Sequence, residues 1–486
     1  MSSKGRFLLT VDVGTSSARA LLFDVEGRHV PGVEGREPVL ARPTPDGGVE
    51  IDPEELLRGV ERVIDAATTQ AAPRVVGGVA SCTFWHSLMG VDAAGAPVTP
   101  VYTWADMRGD ARRSLGDERA FHAKTGCLFH ASYPPAKLHW LATTRPEVFR
   151  RAARWMSFGE FLFLRLFGRT VCTISMASAA GLLDVHQNRW HAPILEKLGV
   201  REEQLSPLGD VASTLQGLLP AYAKRWPALK DVPWCPPVGD GACNSLGSGC
   251  STADRIAVML GTSGALRSTW KAEKVEIPWG LFCYRANARR FVLGGALSNG
   301  GNLVEWIRNA FRLPKDAEAE LAALPADAHG LTFLPFLAGE RSPGWTPDAR
   351  GMLLGLRLAT RPIDILRAAL EAVAIQFGLL HDLLRKAVPD AKEVVASGGG
   401  FVNSAAWTQI LADVLGRPVT LSAEPEASSR GAALLGMEAL GWIRDLDALP
   451  AALGRRFEPD AARNAVYREA QLRHQMRYEQ LVASVE

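Results

Sequence analysis

Two apolar runs, 7–13 and 18–24, open the chain on either side of the turn Gly14-Thr15-Ser16-Ser17, and Val25-Glu26-Gly27-Arg28 closes the second. Apolar stretches bounded by Gly and Ser read as strands, so this pattern predicts a β-meander. The spacing then changes. After Asp52-Pro53, a cap and first-turn signal, Leu56, Leu57, Val60, Val63, Ile64 and Ala67 recur every three or four residues, the period of a helix with one buried face. The run 75–81 follows as a buried strand.

A similar order returns in the second half. The apolar run 255–260 enters Gly261-Thr262-Ser263-Gly264, and 265–270 continues outward as a second strand. A long helical pattern over 363–387 precedes a strand at 393–397 and the triplet Gly398-Gly399-Gly400. The helix expected over 405–415 carries Trp407, Ile410, Leu411 and Val414 on one face, and Gly416 and Pro418 stop it. Two strand-turn-strand units with nearly the same Gly-Thr-Ser turn predict an internal duplication. Hairpins followed by helices alternating with strands predict an α/β fold with mixed sheets. The boundary is placed near Gly249, dividing the chain into 1–249 and 250–486. Residues 190–237, proline-bearing and irregular, read as insertions at the edge of the first domain.

Length agrees with this division, since 486 residues exceed one ordinary core and a cleft between domains is expected. Hydrophobic residues at 47% and charged residues at 22% exclude a fibrous chain or long disorder. A net charge of +2, from 54 basic and 52 acidic residues mixed along the chain, carries no footprint for nucleic acid or an anionic membrane. A small molecule is the expected partner. Seven scattered cysteines without a C-x-x-C pair read as free thiols in a reducing, cytoplasmic compartment. Lys4-Gly5-Arg6 before an apolar run superficially resembles a leader, but Asp12 interrupts it and no cleavage pattern follows. The apolar stretch 155–167 contains Glu160 and Arg165 and is too short to span a bilayer.

Several turns carry candidate chemistry. Asp12-Val13-Gly14-Thr15-Ser16-Ser17 places an acid at a strand end beside a turn where glycine admits a ligand and hydroxyls can donate to phosphate. A plain β-turn with a solvated acid is the alternative. The second turn, Gly261 to Gly264, makes a facing pair of phosphate loops the more specific reading. Asp240, between Gly239 and Gly241, reads as a carboxylate exposed at a strand end with no bulky neighbour, suited to a general base; a helix cap is the other reading. Gly398 to Gly400 with Asn403 could lie against adenine or serve only helix packing. Phe84-Trp85-His86-Ser87 and Trp104-Ala105-Asp106-Met107-Arg108 mix aromatic faces with polar tips, as a polyol pocket needs, or belong to packing. No Gly-Lys dipeptide exists for a Walker A loop, no dinucleotide fingerprint is complete, and the ten histidines show no metal-ligand clustering.

Taken in order, these motifs resemble the FGGY family of carbohydrate kinases, within the actin-like ATPase superfamily. The likeness also rests on Thr125-Gly126 with Lys137, Gly339-Glu340-Arg341-Ser342-Pro343 and Arg430-Gly431-Ala432-Ala433, and spans nearly the whole chain. It implies an α/β fold of two ribonuclease-H-like domains with a cleft between them, sugar held mainly by the first, and ATP at the interface and in the second. It further implies Asp240 as catalytic base, Asp12 and Asp240 facing Mg²⁺, Thr15, Ser16 and Arg19 in the first phosphate loop, and Gly261 and Thr262 in the second. Gly301, Glu305, Gly399 and Asn403 match positions lining the nucleotide's ribose and base.

His86, Trp104, Asp106 and Arg108 match substrate-pocket positions, with Trp85 beside them. Within the family, His86-Ser87-Leu88-Met89, Trp104 to Arg108 and Ser178 to Asp184 are most similar to gluconokinases, so D-gluconate is the expected acceptor, its carboxylate answered by Arg108 or His86. Trp85 departs from the methionine usual before this histidine, which keeps a pentulose such as xylulose as the alternative. A homodimer is also implied. A sugar sensor on the same fold lacks support, because Asp12 and Asp240 are both present and no basic helix-turn-helix is appended. A chaperone-like or cytoskeletal ATPase would not need the cluster from Trp85 to Arg108.

Overall fold

The computed structural model describes residues 6–72, 74–112 and 114–483; Lys4 and Gly5 of the leader-like start lie outside the described residues. The first half is built on strands β1 (Arg6–Val13), β2 (Ser17–Phe23), β3 (His29–Pro38), β4 (Val75–Thr83) and β5 (Trp234–Gly239), in spatial order β5-β4-β1-β2-β3. β1, β2 and β3 form the expected antiparallel meander, and β4 and β5 add in parallel. Helix α1 (Pro53–Ala71) makes the first crossover. The Asp52 carboxylate accepts from the backbone N–H groups of Glu54 and Glu55, satisfying two donors that the helix itself leaves free.

Alternation along β1 decides what each face meets. Leu9, Val11 and Val13 pack with Val60, Val63 and Ile64 of α1 and with Phe161 and Leu162 of helix α2 (Phe158–Phe167). Leu8 points the other way, with Leu21, Phe23 and Ala80 of the same sheet, toward α8 (Ala427–Ala439) from the far half of the chain. With period two, Asp12 shares that second face.

The second half repeats the plan. Strands β6 (Arg255–Leu260), β7 (Gly264–Lys271), β8 (Phe282–Asn287), β9 (Arg290–Leu297), β10 (Glu393–Ser397), β11 (Val419–Ser422) and β12 (Leu453–Phe457) stand in the order β8-β9-β7-β6-β10-β11-β12. Removing the edge strands β8 and β12 leaves β9-β7-β6-β10-β11, an antiparallel meander with two parallel additions, as in the first sheet. Helices α6 (Pro362–Ala387), α7 (Ala405–Leu415) and α9 (Ala461–Leu481) cover it. The duplication expected from the two Gly-Thr-Ser turns is thus a duplication of topology, and the fold is that of two ribonuclease-H-like domains.

Three expectations need correction. Residues 190–237 are not all peripheral, because their end is β5, an edge strand where Pro236 and Pro237 sit at a register shift and cost no central ladder bond. The glycine-rich run after β5 is a helix, α4 (Asp240–Gly247). The hairpin β8-β9 goes beyond the expected strands and docks on the first half, where Cys283 N–H donates to Gly126 O at 2.9 Å and Arg285 N–H to Ser178 Oγ at 2.9 Å. On the other side, α8 crosses α4 at backbone contact. A Cβ on Gly247 would stand 1.8 Å from Ala427 O, and one on Gly431 would stand 1.8 Å from Cys243 O. All seven cysteines are buried and unpaired, and among the described residues no helix is long and apolar enough to cross a membrane.

Candidate active site

The two candidate carboxylates both sit at strand ends, one before a turn and one at the start of a helix. Asp12, near the end of β1, lies beside Cys82 of β4 and Arg19 of β2 in the ladder. Ser429 of α8 donates its hydroxyl to Asp12 Oδ2 at 2.9 Å, a contact between residues 417 apart in sequence. Burial raises the Asp12 pKa, and the nearby Arg19 charge only partly opposes this. Asp240 is the first residue of α4, with Gly239 as the N-cap. Its Oδ1 accepts from Gly241 N–H at 2.8 Å and from Trp85 N–H at 3.4 Å. Burial pushes Asp240 up to about 6, Arg267 of β7 opposing and Asp12 adding. Asp12 adds to the upward push on Asp240, and two carboxylates, which offer hard oxygen ligands, fit a divalent cation such as Mg²⁺.

The neighbourhood of Asp240 differs from expectation in one respect: a bulky residue does lie against it. The Trp85 indole covers the Gly-Asp-Gly segment, so that a Cβ at Gly239 would fall 1.7 Å from Trp85 Nε1 and one at Gly241 would fall 2.6 Å from its ring. The two glycines make room for this ring. Trp85 Nε1–H in turn donates to Ser175 O at 3.2 Å.

Beyond Trp85 opens an aromatic chamber. His86, held at a left-handed φ of 64°, stands edge-on to Tyr133 at 4.9 Å and to Tyr284 of β8 at 5.4 Å between ring centres. Its Nδ1–H donates to Ala179 O at 2.7 Å. Burial lowers His86 to about 3, and the charges of Lys137, Arg341 and Arg267 push the same way. His86 is therefore neutral at pH 7, its Nε2 an acceptor for a hydroxyl. Arg341 reaches in from the second half, 5.0 Å above the Trp104 ring, donating to Leu297 O at 2.7 Å while its Nε has no partner. No carboxylate lies within ion-pair reach of it among the described residues. Burial lowers Arg341 to about 10 and the enclosed Lys137 to about 7.

Asp106 and Arg108 are placed differently from Trp104. The Arg108 guanidinium is tied to Asp106 at 2.6 Å, Glu50 at 2.7 Å and Asp46 at 3.6 Å, and packs on Trp140 at 4.5 Å. Hydrogen bonds to Asp106 and Glu50 raise its pKa despite burial. A guanidinium already facing three carboxylates does not answer a fourth, and a neutral His86 carries no charge to offer. The expected pairing of either with a gluconate carboxylate is not supported by this geometry.

Gly261, Gly301 and Gly398 come together at the end of β6. Gly301 N–H donates to Gly261 O at 2.8 Å, and a Cβ at Gly398 would stand 2.4 Å from Leu260 O. Thr262, Glu305, Gly399 and Asn403 are exposed around this point, while Thr15 and Ser16 form the corresponding turn after β1. Arg19 is engaged across the cleft by Glu426 at 3.2 Å, which also takes Arg36 at 2.6 Å. Sequence reasoning had not singled out Tyr133, Tyr284, Arg267, Ser429 or Glu426. Arg341 was visible only as part of the Gly-Glu-Arg-Ser-Pro motif, with no role attached.

Comparison with known proteins agrees with this layout. The model of the N-terminal domain of the FGGY family of carbohydrate kinases matches residues 7–247, and that of the C-terminal domain matches residues 256–440. A gluconokinase of Bacillus subtilis (strain 168) is 29% identical over 469 residues, covering 93% of this chain and 91% of that protein. A xylulose kinase of Escherichia coli (strain K12) is 28% identical, with 97% and 98% covered. A crystal structure of gluconate kinase from Lactobacillus acidophilus superposes with a TM-score of 0.90 at 26% identity, covering 99% of both chains.

Proposed function

Because the chain belongs to the FGGY family of carbohydrate kinases, we propose that the acceptor of its ATP-dependent phosphorylation is a sugar acid, D-gluconate, converted to 6-phosphogluconate. The observation that carries this reading is the charge of the chamber. Arg341 has no carboxylate partner there, Lys137 is buried with Asp106 as the nearby charge that opposes its depression, and both cations act on a neutral His86. Burial depresses both cations, so a bound anion would stabilise their charged forms, whereas a neutral pentulose would not. Similarity to a gluconokinase and to a gluconate kinase structure supports the same choice.

In this reading the first half, 1–249, holds the sugar and 250–486 most of the nucleotide. Arg341 and Lys137 orient the carboxylate end, while His86 Nε2, Tyr133 and Trp104 contact hydroxyls and the carbon chain. Asp240 accepts the proton of the attacking hydroxyl. Its raised pKa leaves it ionised at pH 7 to 8 yet far more basic than a surface aspartate. Thr15, Ser16, Gly261 and Thr262 present hydroxyl and backbone donors to the phosphates, with Arg19 adding positive charge. Asp12 and Asp240 would hold Mg²⁺, which when bound supplies charge neutralisation at the phosphates. Gly301, Glu305, Gly399 and Asn403 line the nucleoside end. β8 sets Tyr284 against His86 as one wall of the chamber, and shielding the transfer from water guards against ATP hydrolysis.

The test is coupled ADP formation with purified protein across aldonates, ketopentoses, polyols and glycerol. Gluconate should give the highest kcat/KM, and Arg341→Met should raise its KM at least tenfold with a smaller effect on kcat. A ketopentose preferred over every aldonate, with Arg341→Met neutral, would refute the sugar-acid reading in favour of a xylulokinase-like enzyme.

A further inference from the structure

His130, to which no role has yet been given, stands at the chamber with one hydrogen bond to offer. It lies just before the helix Pro134–Thr144 that carries Lys137. Its ring is edge-on to Trp345 of the second half at 5.3 Å, and Trp345 packs on Tyr133 at 5.8 Å. Only 5% of the residue is exposed. Both polar groups of Ser132 meet the same ring nitrogen: the backbone N–H donates to His130 Nδ1 at 3.1 Å, and the hydroxyl lies 3.0 Å from it. Burial lowers His130 to about 3, and the charges of Arg341, Lys137 and Arg112 push the same way, so the ring is neutral at pH 7. A neutral imidazole that accepts at Nδ1 carries its proton on Nε2. Among the described residues nothing accepts that proton, and the atom reaches open space instead of being sealed in the core. His86 is the mirror case, giving Nδ1–H to Ala179 O and leaving Nε2 to accept.

Neighbouring charges order the chamber from the reacting end outward. After burial, the charges acting most strongly are Arg267 and Asp12 on Asp240, Lys137, Arg341 and Arg267 on His86, and Arg341, Lys137 and Arg112 on His130. His86 shares Arg267 with Asp240, and shares Arg341 and Lys137 with His130, so it stands between them. An acceptor that presents one hydroxyl to Asp240 and runs past His86 brings its opposite end to His130 and Arg341. In gluconate phosphorylated at C6 that opposite end is the carboxylate. Arg341 gives one hydrogen bond there, to Leu297 O at 2.7 Å, and no carboxylate of the described residues pairs with it. Both side chains are donors, and a buried donor left without an acceptor is costly unless water or a ligand takes its proton.

We propose that His130 Nε2–H donates to the carboxylate of the acceptor beside Arg341, and so selects an acid over a neutral polyol at the end remote from the attacked hydroxyl. This rests on the sugar-acid reading above and adds a residue to it. Two substitutions separate binding from packing. Asparagine keeps an acceptor near the Nδ1 position for Ser132 N–H but has nothing at Nε2, whereas glutamine carries an amide N–H out to the Nε2 position. The substrates to compare are D-gluconate and D-glucitol, which differ only in a carboxylate or a CH₂OH at C1. In coupled ADP formation the parent should favour gluconate in kcat/KM. His130→Asn should cut that preference about tenfold or more, mainly through KM for gluconate, with kcat within about threefold of the parent; His130→Gln should keep the preference within about threefold. A residue needed only for packing would lose least with asparagine, which retains the Ser132 contact. A parent that does not favour gluconate over glucitol would overturn the sugar-acid reading and this proposal together. A preference that survives in His130→Asn, or is lost equally in both variants, would overturn the role of His130 and leave the sugar-acid reading in place.

Discussion

Replacing Asp240 by Asn probes both the chemistry assigned to this carboxylate and the electrostatic cost of keeping it ionised. Burial holds Asp240 at about 6 against an ordinary 3.8. Between those values the unfolded chain is ionised while the folded chain keeps its proton, so stability falls as pH rises from 3.8 through 6 and then levels. At about 1.4 kcal/mol per pH unit the full penalty is about 3 kcal/mol above pH 7, and about half of that remains at pH 5. Asparagine is neutral throughout and can still accept from Gly241 N–H and Trp85 N–H. The ligand-free variant should therefore melt about 5 °C higher than the parent at pH 8, with the gain roughly halved at pH 5. Turnover should fall about 10²-fold or more at the same time. Differential scanning fluorimetry at the two pH values and a coupled ADP assay read the two arms. A melting temperature at pH 8 equal to or below the parent's, or a gain of the same size at both pH values, would refute the account of a desolvated base.

The same raised pKa gives the parent enzyme an acid limb in kcat/KM near pH 6, with activity dropping tenfold per pH unit below it; Arg267→Met, which removes the charge that lowers Asp240, should move the limb upward. Glu426→Gln releases Arg19 and Arg36 from a competing carboxylate, and a severalfold lower KM for ATP is expected from initial-rate kinetics. Gly431→Ala drives a methyl to 1.8 Å from Cys243 O, where only backbone movement can make room; a loss of about 3 kcal/mol or more should show as reduced soluble yield and a lower melting temperature.

Local pattern was enough to locate the secondary structure around the candidate site. Strand alternation in β1 and β2, the Asp52 cap and the apolar stripe of α1 are set by neighbours a few residues apart, and they appear where periodicity predicts them. The two Gly-Thr-Ser turns announced the duplication for the same reason, since a tight turn between strands needs its own residue types. The character of the site was less legible. Arg108 looked available because Asp46 and Glu50, which fold back onto it, lie more than fifty residues upstream. His86 looked like a charge until burial among Tyr133, Tyr284 and Trp85 made it neutral.

The chain by itself therefore determined the strand-turn-strand units, the acids at their ends and the family to which they point. Tertiary packing alone decided which charges are spent and which remain free. It laid Trp85 over Gly239 and Gly241, brought Ser429 to Asp12, and carried Arg341 and Tyr284 from the second half into the chamber of the first. Burial and pairing set the pKa of a group, and both depend on partners hundreds of residues away, to which short-range sequence pattern is blind.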